Sequence, residues 1–421
     1  MSEPLRVALL GFGTVGASVA RILVERPELG ARLQLTHVFN RNAARKRVPW
    51  VPESVTWTAD FAAVLTAAPD VVVEVVGGVE PAGDWVRQAM ERGASVVTAN
   101  KMLMATHGPT LLEVASRAGV SLRFEAAVGG GVPLIHGIRE GLAGDVLTGV
   151  AGILNGTCNY ILSRMSATNE SMDIVLTDAQ RLGYAEADPT ADVDGFDAAA
   201  KLVVLAGIAF RRHLALEAVP RRSIRALSAA DFAYAMRLAC TIRQLSQVHV
   251  SDGGFYGFVG PALVPQESSF GRNLGANNIV STYGRYGGES SFSGAGAGGP
   301  ATAVAIVSDL LALTSSGARS DAEAWRPASF VVPPPLPYYL RFVVKDQPGI
   351  LASIATALAG QGVNLDAVLQ EPGYPKDRLP FVITVEPCEE AALQRALTAL
   401  ETAEWHAERP LALPMLIAAN S

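Results

Sequence analysis

The first part of the chain alternates between short apolar runs of strand length and longer segments with helical spacing. Residues 6–10, 33–39, 70–76 and 95–98 are short segments rich in apolar residues. Between the first two runs, apolar residues at positions 17, 19, 20, 22 and 23 follow the period of a helix. Buried strands that alternate with helices form a parallel, doubly wound sheet. We therefore predict an α/β domain over residues 1–133.

The middle of the chain mixes strand and helix patterns without this regular alternation. Residues 122–133 predict a strand that ends in a glycine-rich turn, and residues 153–162 predict a polar turn that opens a helix. Residues 196–210 form a largely apolar helical run. A second glycine-rich loop at residues 294–299 leads into a helix, at about residues 300–325, which we expect to return to the first domain. The remainder predicts an α+β domain over residues 134–299.

A proline-rich segment precedes a third unit. Five of the thirteen residues 325–337 are proline, which predicts a stiff linker over residues 326–337. The segment beyond it has the order strand, helix, strand, strand, helix. This order is typical of a ferredoxin-like domain, which we place over residues 338–417.

Composition and charge exclude several classes of protein. Of the 421 residues, 49% are hydrophobic and 18% charged, so the chain is too apolar to be disordered. No apolar run approaches the roughly 18 residues of a membrane span, so we expect no membrane partner. A net charge of −6 argues against a nucleic-acid partner. The three cysteines lack metal or disulfide spacing, and no secretory leader is evident, so we expect a cytoplasmic protein.

The turn after the first strand carries a glycine pattern in which each glycine has a physical reason. Residues 11–16 read GFGTVG between a strand and a helix. Gly11 permits a tight turn, Gly13 lets a pyrophosphate approach the backbone, and Gly16 lets the helix pack closely on the strand. The pattern predicts a dinucleotide site, with a purely structural turn as the alternative. The same turn supplies the further candidate residues Phe12, Thr14 and Val15.

The residues after the second strand bear on the choice of dinucleotide. An NAD site places Asp or Glu there to hold the ribose 2′-hydroxyl. This chain has Asn40 and Arg41 instead, followed by the basic residues 45–47. A neutral residue next to an arginine suits a 2′-phosphate, so we predict NADP, with NAD still open. For residues 45–47 a solvated basic loop is an equally good interpretation.

The ends of the later strands supply further candidates. Ligands of a doubly wound sheet bind at the carboxyl ends of its strands. Gly77 and Gly78 follow one run, while Thr98, Asn100 and Lys101 follow the next. We therefore expect these residues on the cofactor side and give Lys101 a functional role.

The densest polar cluster in the chain lies between residues 183 and 201. Its five carboxylates are Glu186, Asp188, Asp192, Asp194 and Asp197. Asp197 and Lys201 are four residues apart, on one face of the predicted helix. A lysine on an apolar helix must be paired or must take part in chemistry. Carboxylates that keep its ammonium charged and in place suit a proton donor to a forming alkoxide; a structural ion pair is the alternative.

These segments together resemble one enzyme family. The motifs GFGTVG, TANK, EAAVGGGVP, LNGTCNYIL, GYAEADPTADVDGFDAAAKL and GAGAGG occur in this order within residues 5–325, and the chain is similar to the homoserine dehydrogenases. The resemblance implies a Rossmann domain that binds NAD(P) and an α+β domain that binds homoserine and dimerises, giving a homodimer or homotetramer. It also implies reversible reduction of L-aspartate 4-semialdehyde to L-homoserine, in the branch that leads to threonine, methionine and isoleucine.

The resemblance also assigns roles to residues. It implies that Lys201 is catalytic, that Lys101 lies between cofactor and substrate, and that Asp197 holds the lysine. Glu186 and Asp192 would bind the substrate, together with Asn155, Gly156, Thr157 and Tyr184. A monovalent cation such as Na⁺ would be held by Glu125 and the carbonyls of Val128, Gly130 and Val132. Gly298 would contact the cofactor. The chain departs from the family pattern at Cys158, where threonine is usual, and in residues 266–275.

The C-terminal segment resembles an ACT domain. Its turn D-x-P-G-x-L begins at Asp346, and the resemblance implies an amino-acid effector site that includes Gly349, Ile350 and Asn364. Threonine would fit by family analogy, and a purely structural or dimerising domain is the alternative.

Two other functions remain open at this point. An aspartate-semialdehyde dehydrogenase would need Cys158 as a thiolate nucleophile. An inactive amino-acid sensor would bind threonine without turnover.

Overall fold

The apolar runs of the first domain become the strands of one parallel sheet. In the computed structural model, which describes residues 3–315 and 324–416, six parallel strands have the order β3-β2-β1-β4-β5-β6. These strands are β1 (Leu5–Leu10), β2 (Leu33–Phe39), β3 (Thr56–Thr58), β4 (Val71–Glu74), β5 (Ser95–Thr98) and β6 (Leu122–Arg123). The helices between them are α1 (Thr14–Glu25), α2 (Ala43–Lys46), α3 (Phe61–Thr66), α4 (Ala82–Glu91) and α5 (Lys101–Ala118). The predicted doubly wound sheet is confirmed.

The second domain is built on a five-stranded antiparallel sheet with helices packed against it. The strand order is β10-β9-β7-β11-β12. Its strands are β7 (Leu147–Ile153), β9 (Cys240–Ser251), β10 (Gly254–Pro265), β11 (Asn277–Gly284) and β12 (Gly288–Ala295), with the short β8 (Arg212–Leu214) outside the sheet. The helices are α6 (Leu134–His136), α7 (Gly156–Thr168), α8 (Met172–Arg181), α9 (Thr190–Val193), α10 (Phe196–Phe210), α11 (Ala229–Arg237) and α12 (Ser269–Arg272).

Helix α13 (Gly299–Ser315) returns the chain to the first domain. It packs beside α1, and its buried residues share a core with those of β1 and α1. Gly299 allows the close approach, because a Cβ there would lie 2.8 Å from the Ser18 hydroxyl and from the Thr14 methyl group. The end of the predicted return helix, at residues 316–325, falls mostly outside the described residues.

The segment between the second and third domains is more ordered than the proline content predicts. Three residues of the predicted linker form strand β13 (Arg326–Ala328), which pairs in parallel with β8. Trp325, just before it, is buried against Gly108 and Gly207. Backbone pairing and one buried indole thus fix this part of the predicted linker to the second domain.

The third domain has the order βαββαβ and a four-stranded antiparallel sheet. The strands are β14 (Leu336–Val344), β15 (Leu365–Gln370), β16 (Leu379–Cys388) and β17 (Leu411–Pro414), in the spatial order β15-β16-β14-β17. Helices α14 (Ile350–Ala359) and α15 (Glu390–Leu400) share one core with one face of the sheet.

The other face of this third sheet packs directly on the second domain. Tyr339, Val382 and Leu413 belong to the same buried cluster as Ile161 of α7 and Phe232 of α11. A polar contact lies inside this apolar interface, where the Tyr339 hydroxyl donates to Asp231 at 2.9 Å and the Arg341 guanidinium donates to the same carboxylate. One face of the third domain's sheet thus completes a hydrophobic core of the second domain. Among the described residues, no helix is long and apolar enough to cross a membrane.

Candidate active site

The turn between β1 and α1 has the geometry that a dinucleotide needs. Gly11 has φ +104°, and a Cβ there would lie 2.8 Å from the carbonyl oxygen of Val75. A Cβ on Gly16 would lie 2.1 Å from the carbonyl oxygen of Gly11. A Cβ on Gly13, in contrast, would meet no atom within 4 Å, so the backbone at the start of α1 faces open space. Two glycines therefore serve the turn, and the third leaves room for a phosphate group at the helix N-terminus.

The other candidates in this turn differ in what they present. The Phe12 side chain is buried against Trp57, with ring centroids 4.7 Å apart, so only its backbone faces the cofactor side. Thr14 is exposed, and Val15 lines the cleft described below.

The two candidates that follow β2 are both accessible. Asn40 is half-buried and accepts a hydrogen bond from the backbone N–H of Asn42 at 2.9 Å, while Arg41 is exposed.

The ends of β4 and β5 form the next part of this edge. Gly77 and Gly78 have φ values of +80° and +76°, and both are exposed. Thr98 is fully buried, and its hydroxyl donates to Glu74 at 2.6 Å. Sequence reasoning missed Glu74 as a site residue, although a carboxylate inside an apolar run was a visible signal.

A cleft of about 720 Å³ separates this edge from the second domain. It brings together residues that lie far apart in the sequence. Those with functional side chains are Lys101, Asn155, Thr157, Tyr184, Asp192, Asp197 and Lys201. The glycine loops meet here as well, because Gly130 approaches the backbone of Gly296, and Gly298 (φ +116°) is exposed beside it.

Asp197 lies between the two lysines. Its Oδ1 is 2.8 Å from Nζ of Lys101, and its Oδ2 is 2.7 Å from Nζ of Lys201. Burial acts to raise the pKa of Asp197, but the two ammonium groups outweigh it and hold that pKa well below the usual range. Asp197 is therefore a permanent carboxylate that fixes both ammonium groups.

Helix α10 presents Lys201 into the cleft. The helix begins after Gly195, which has φ +79°, and the lysine side chain is only 12% exposed. Besides Asp197, Nζ of Lys201 donates to the carbonyl oxygen of Leu154 at 2.8 Å. An ammonium has three donors, so these two contacts leave one N–H to be directed toward a ligand in the cleft.

Asn155 connects the carboxylates to the start of α7. Its Oδ1 accepts from the backbone N–H of Cys158 at 2.8 Å and so caps the helix. Its Nδ2 donates to Asp192 at 2.6 Å and to Asp197 at 3.0 Å. Burial raises the pKa of Asp192, which keeps this second carboxylate less acidic than Asp197.

Cys158 does not have the surroundings of a nucleophile. It is fully buried, and its thiol donates to the backbone carbonyl of Asp192 at 3.2 Å. Burial and the nearby Asp192 and Asp197 carboxylates raise its pKa well above the usual value. A reactive thiolate is therefore disfavoured, and with it the semialdehyde-oxidising alternative.

The remaining substrate candidates lie at different depths. Gly156 and Thr157 line the cleft, and the Thr157 hydroxyl donates to the carbonyl oxygen of Tyr184 at 2.6 Å. Tyr184 is 46% exposed at the rim. Glu186 is exposed and is not among the described residues that line the cleft.

The predicted cation ligands only partly suit that role. The Glu125 carboxylate accepts from the backbone N–H groups of Ile135 and His136, each at 2.8 Å, and contacts the His136 ring at 2.7 Å. The carboxylate thus already has these three contacts, and its role as a cation ligand stays a prediction. The carbonyl of Val132 accepts from the Leu134 N–H at 2.8 Å. Val128 and Gly130 are buried in the same loop.

Three of the four candidate effector residues lie around the start of α14, whereas Asn364 follows the other end of that helix, just before β15. Asp346, Gly349 and Asn364 are exposed, and Gly349 has φ +94° at the helix N-cap. Asn364 donates to Glu386 at 3.1 Å. The Ile350 side chain is buried in the core of the third domain, so it offers only its backbone to a ligand.

A dinucleotide-binding turn that faces two lysines across a polar cleft defines a nicotinamide-dependent oxidoreductase. The comparisons with known proteins make this class specific. The family model "Homoserine dehydrogenase, NAD binding domain" matches residues 11–125, "Homoserine dehydrogenase" matches residues 133–311, and "ACT domain" matches residues 338–404.

Relatives match over nearly their whole length. The chain is 38% identical to the homoserine dehydrogenase of Pseudomonas aeruginosa, over 96% of each chain, and 39% identical to that of Mycobacterium tuberculosis, over 95% of each. The crystal structure of a homoserine dehydrogenase from Thiobacillus denitrificans superposes with a TM-score of 0.90 at 33% identity, covering 98% of each chain. The chain belongs to the homoserine dehydrogenase family.

A more distant structure matches a smaller part of this chain. A hyperthermophilic archaeal homoserine dehydrogenase mutant in complex with NADPH has a TM-score of 0.64 at 25% identity. It covers 73% of this chain, and this chain covers 97% of it.

Proposed function

We propose that this chain interconverts L-aspartate 4-semialdehyde and L-homoserine with Lys201 as the proton donor and acceptor. The observation that carries the proposal is the position of Asp197 between Lys101 and Lys201, inside the cleft that the nucleotide turn faces. When bound, the nicotinamide cofactor supplies or accepts the hydride at the carbon that bears the oxygen.

Each charged side chain in the cleft has a task in this proposal. The free N–H of the Lys201 ammonium donates to the aldehyde oxygen and gives up its proton as the alkoxide forms. Asp197 and the Leu154 carbonyl fix that ammonium. Asp192 binds the substrate ammonium, and Glu186 would join it from the exposed rim. Lys101, held by the other oxygen of Asp197, lies on the cofactor side.

The proposal is tested by NADP⁺-dependent oxidation of homoserine. The wild type should turn over, and Lys201→Ala should lose at least about 10²-fold in kcat, the low end of what general acid–base catalysis contributes. Lys345→Ala removes an exposed lysine of the third domain and serves as the matched control. An inactive wild type, or a Lys201→Ala variant with full activity, would reject the proposed function.

We propose NADP as the preferred cofactor. Support comes from the neutral Asn40 beside the exposed Arg41 after β2, and from the NADPH complex of the archaeal relative. Arg41→Ala should raise KM for NADPH several-fold and leave KM for NADH unchanged. Equal effects on the two cofactors would contradict this preference.

We further propose threonine as an effector of the third domain, a homodimer or homotetramer, and a cytoplasmic location. The ACT match supports an amino-acid ligand, and the three free, buried cysteines suit a reducing compartment. A threonine titration of the wild type and of Asn364→Ala, together with the mass in solution by light scattering, tests the first two proposals. We propose that Na⁺ binds the backbone carbonyls of residues 128–132. Replacing Na⁺ by a bulky organic cation in the assay tests this proposal, because activity should then fall.

A further inference from the structure

A buried carboxylate, Glu74, ends strand β4 at the cofactor edge of the parallel sheet. Its exposure is 0%, and it follows three consecutive valines. A buried carboxylate is costly unless hydrogen bonds satisfy both of its oxygens. The groups that donate hydrogen bonds to the Glu74 carboxylate therefore indicate what this buried side chain does.

Both oxygens of Glu74 accept hydrogen bonds from groups at the edge of the sheet. Oε1 accepts from the backbone N–H groups of Val76 and Gly77, at 2.8 and 3.0 Å. Oε2 accepts from the hydroxyl of Thr98 on β5, at 2.6 Å. Glu74 thereby ties the glycine turn after β4 to the neighbouring strand.

Thr98 and Asn100 extend this network to helix α5. The Thr98 oxygen accepts from the backbone N–H of Asn100 at 3.0 Å, and Asn100 Nδ2 donates to the carbonyl of Gly78 at 2.5 Å. Asn100 also caps α5, because its Oδ1 accepts from the backbone N–H of Leu103 at 3.1 Å. Lys101 is the first residue of that helix. The network therefore fixes both the glycine turn and the start of the helix that carries Lys101.

We propose that Glu74 is a positioning residue that preorganises the cofactor side of the cleft. The proposal rests on the proposed binding of the cofactor along this edge. Glycines have many alternative conformations, and the two N–H contacts to Glu74 select one of them for the turn at residues 76–78. A cofactor that binds the selected conformation does not have to order the turn itself, so its affinity depends on Glu74.

Substitutions at Glu74 separate this role from general stability. Glu74→Ala leaves two backbone N–H groups and one hydroxyl without their acceptor. We expect its dissociation constant for NADPH, measured by fluorescence titration, to rise about tenfold. KM for homoserine should stay within about twofold, because the substrate groups on the second domain are unchanged. Glu74→Gln should recover most of the affinity, since its carbonyl oxygen accepts both N–H groups and its amide donates to Thr98.

A matched control uses a second carboxylate that is equally buried but remote from the cleft. Asp231→Asn, at the interface with the third domain, should lower the unfolding midpoint and leave the dissociation constant for NADPH unchanged. If Glu74→Ala does not fold, Thr98→Val offers the same comparison, with an expected rise of about threefold.

Several results would overturn the assignment. Glu74→Ala with wild-type affinity for NADPH, or with equal losses for NADPH and homoserine, would leave Glu74 a purely structural residue. Glu74→Gln as defective as Glu74→Ala would show that the charge matters rather than the acceptor geometry. An unchanged constant in Thr98→Val would break the link to β5. Because cofactor binding is measured without turnover, failure here is distinguishable from failure of the proposed reaction.

Discussion

The two halves of the Asn155 amide perform different tasks, and a single isosteric substitution separates them. In Asn155→Asp, one carboxylate oxygen still accepts from the Cys158 N–H and caps α7, and a negative charge at a helix N-terminus is favourable. The donor that now contacts Asp192 at 2.6 Å and Asp197 at 3.0 Å is replaced by a third carboxylate. The stability of the cap is thus kept, while the arrangement of the carboxylates is lost.

The size of the effect follows from these contacts. Two like charges 4 Å apart repel by about 4 kcal/mol at an effective dielectric constant of 20, and two such neighbours are present. Proton uptake by one of the carboxyls relieves part of this repulsion. The pKa of Asp192, which burial already raises, should rise further. Hydrogen bonds to charged groups contribute about 1.5–3 kcal/mol, so we expect kcat/KM for homoserine to fall about 10- to 150-fold at pH 8.

The pH dependence gives the sharper test. A carboxyl with a raised pKa takes up a proton as the pH falls, so the deficit of Asn155→Asp relative to wild type should shrink as the pH is lowered from 8. Asn155→Ala loses the cap as well, which costs about 0.5–2 kcal/mol of stability, and its deficit in activity should not depend on pH. The assay is NADP⁺ reduction as the pH is lowered, with urea unfolding for stability. A deficit of Asn155→Asp that is constant with pH, or a loss of stability equal to that of Asn155→Ala, would refute the reasoning.

Three further predictions concern the glycine turn, the buried thiol and a buried carboxyl. Gly16→Ala should lower the melting temperature, because its Cβ would overlap the Gly11 carbonyl in the β1–α1 turn. Gly13→Ala should keep the wild-type melting temperature and lose affinity for NADPH. Equal melting temperatures of the two variants would contradict this account. Cys158→Ala should retain turnover, and iodoacetamide should leave the folded enzyme active, since the Cys158 thiol is fully buried. Loss of activity at the same rate as modification of Cys158 would make this cysteine a catalytic candidate again. Burial raises the pKa of Asp309 to about 7, so its ionisation opposes folding increasingly as the pH rises from about 4 toward 7. Asp309→Asn should therefore raise the melting temperature more at pH 8 than at pH 5, and the reverse order would disprove this account.

Local patterns predicted the parts of the site that depend on neighbours in the sequence. The glycine turn at residues 11–16, the helix over residues 196–210 and the contact between Asp197 and Lys201 all follow from spacings within one or two turns of chain. The periods of strand and helix fix these relations before any tertiary contact forms.

Contacts between distant segments were beyond such reasoning. Lys101 and Asp197 lie on different domains, and only the packing of α5 against α10 brings them within 2.8 Å. The same holds for Asn155, whose contacts with two carboxylates depend on where α7 begins relative to α10. The same holds for the partners of the Glu125 carboxylate, because the residues that donate to it belong to the next helix.

The position of the third domain limits how this enzyme can be altered. Tyr339, Val382 and Leu413 fill a core that also holds Ile161 of α7, the helix whose first turn lies in the cleft. Cutting the chain before residue 336 would strip this core and expose the buried Asp231 to water without its arginine. We therefore expect removal of the third domain to destabilise the second domain. A variant that tests the proposed effector site needs a point substitution at the exposed start of α14, which lies on the face of the third sheet that points away from the second domain.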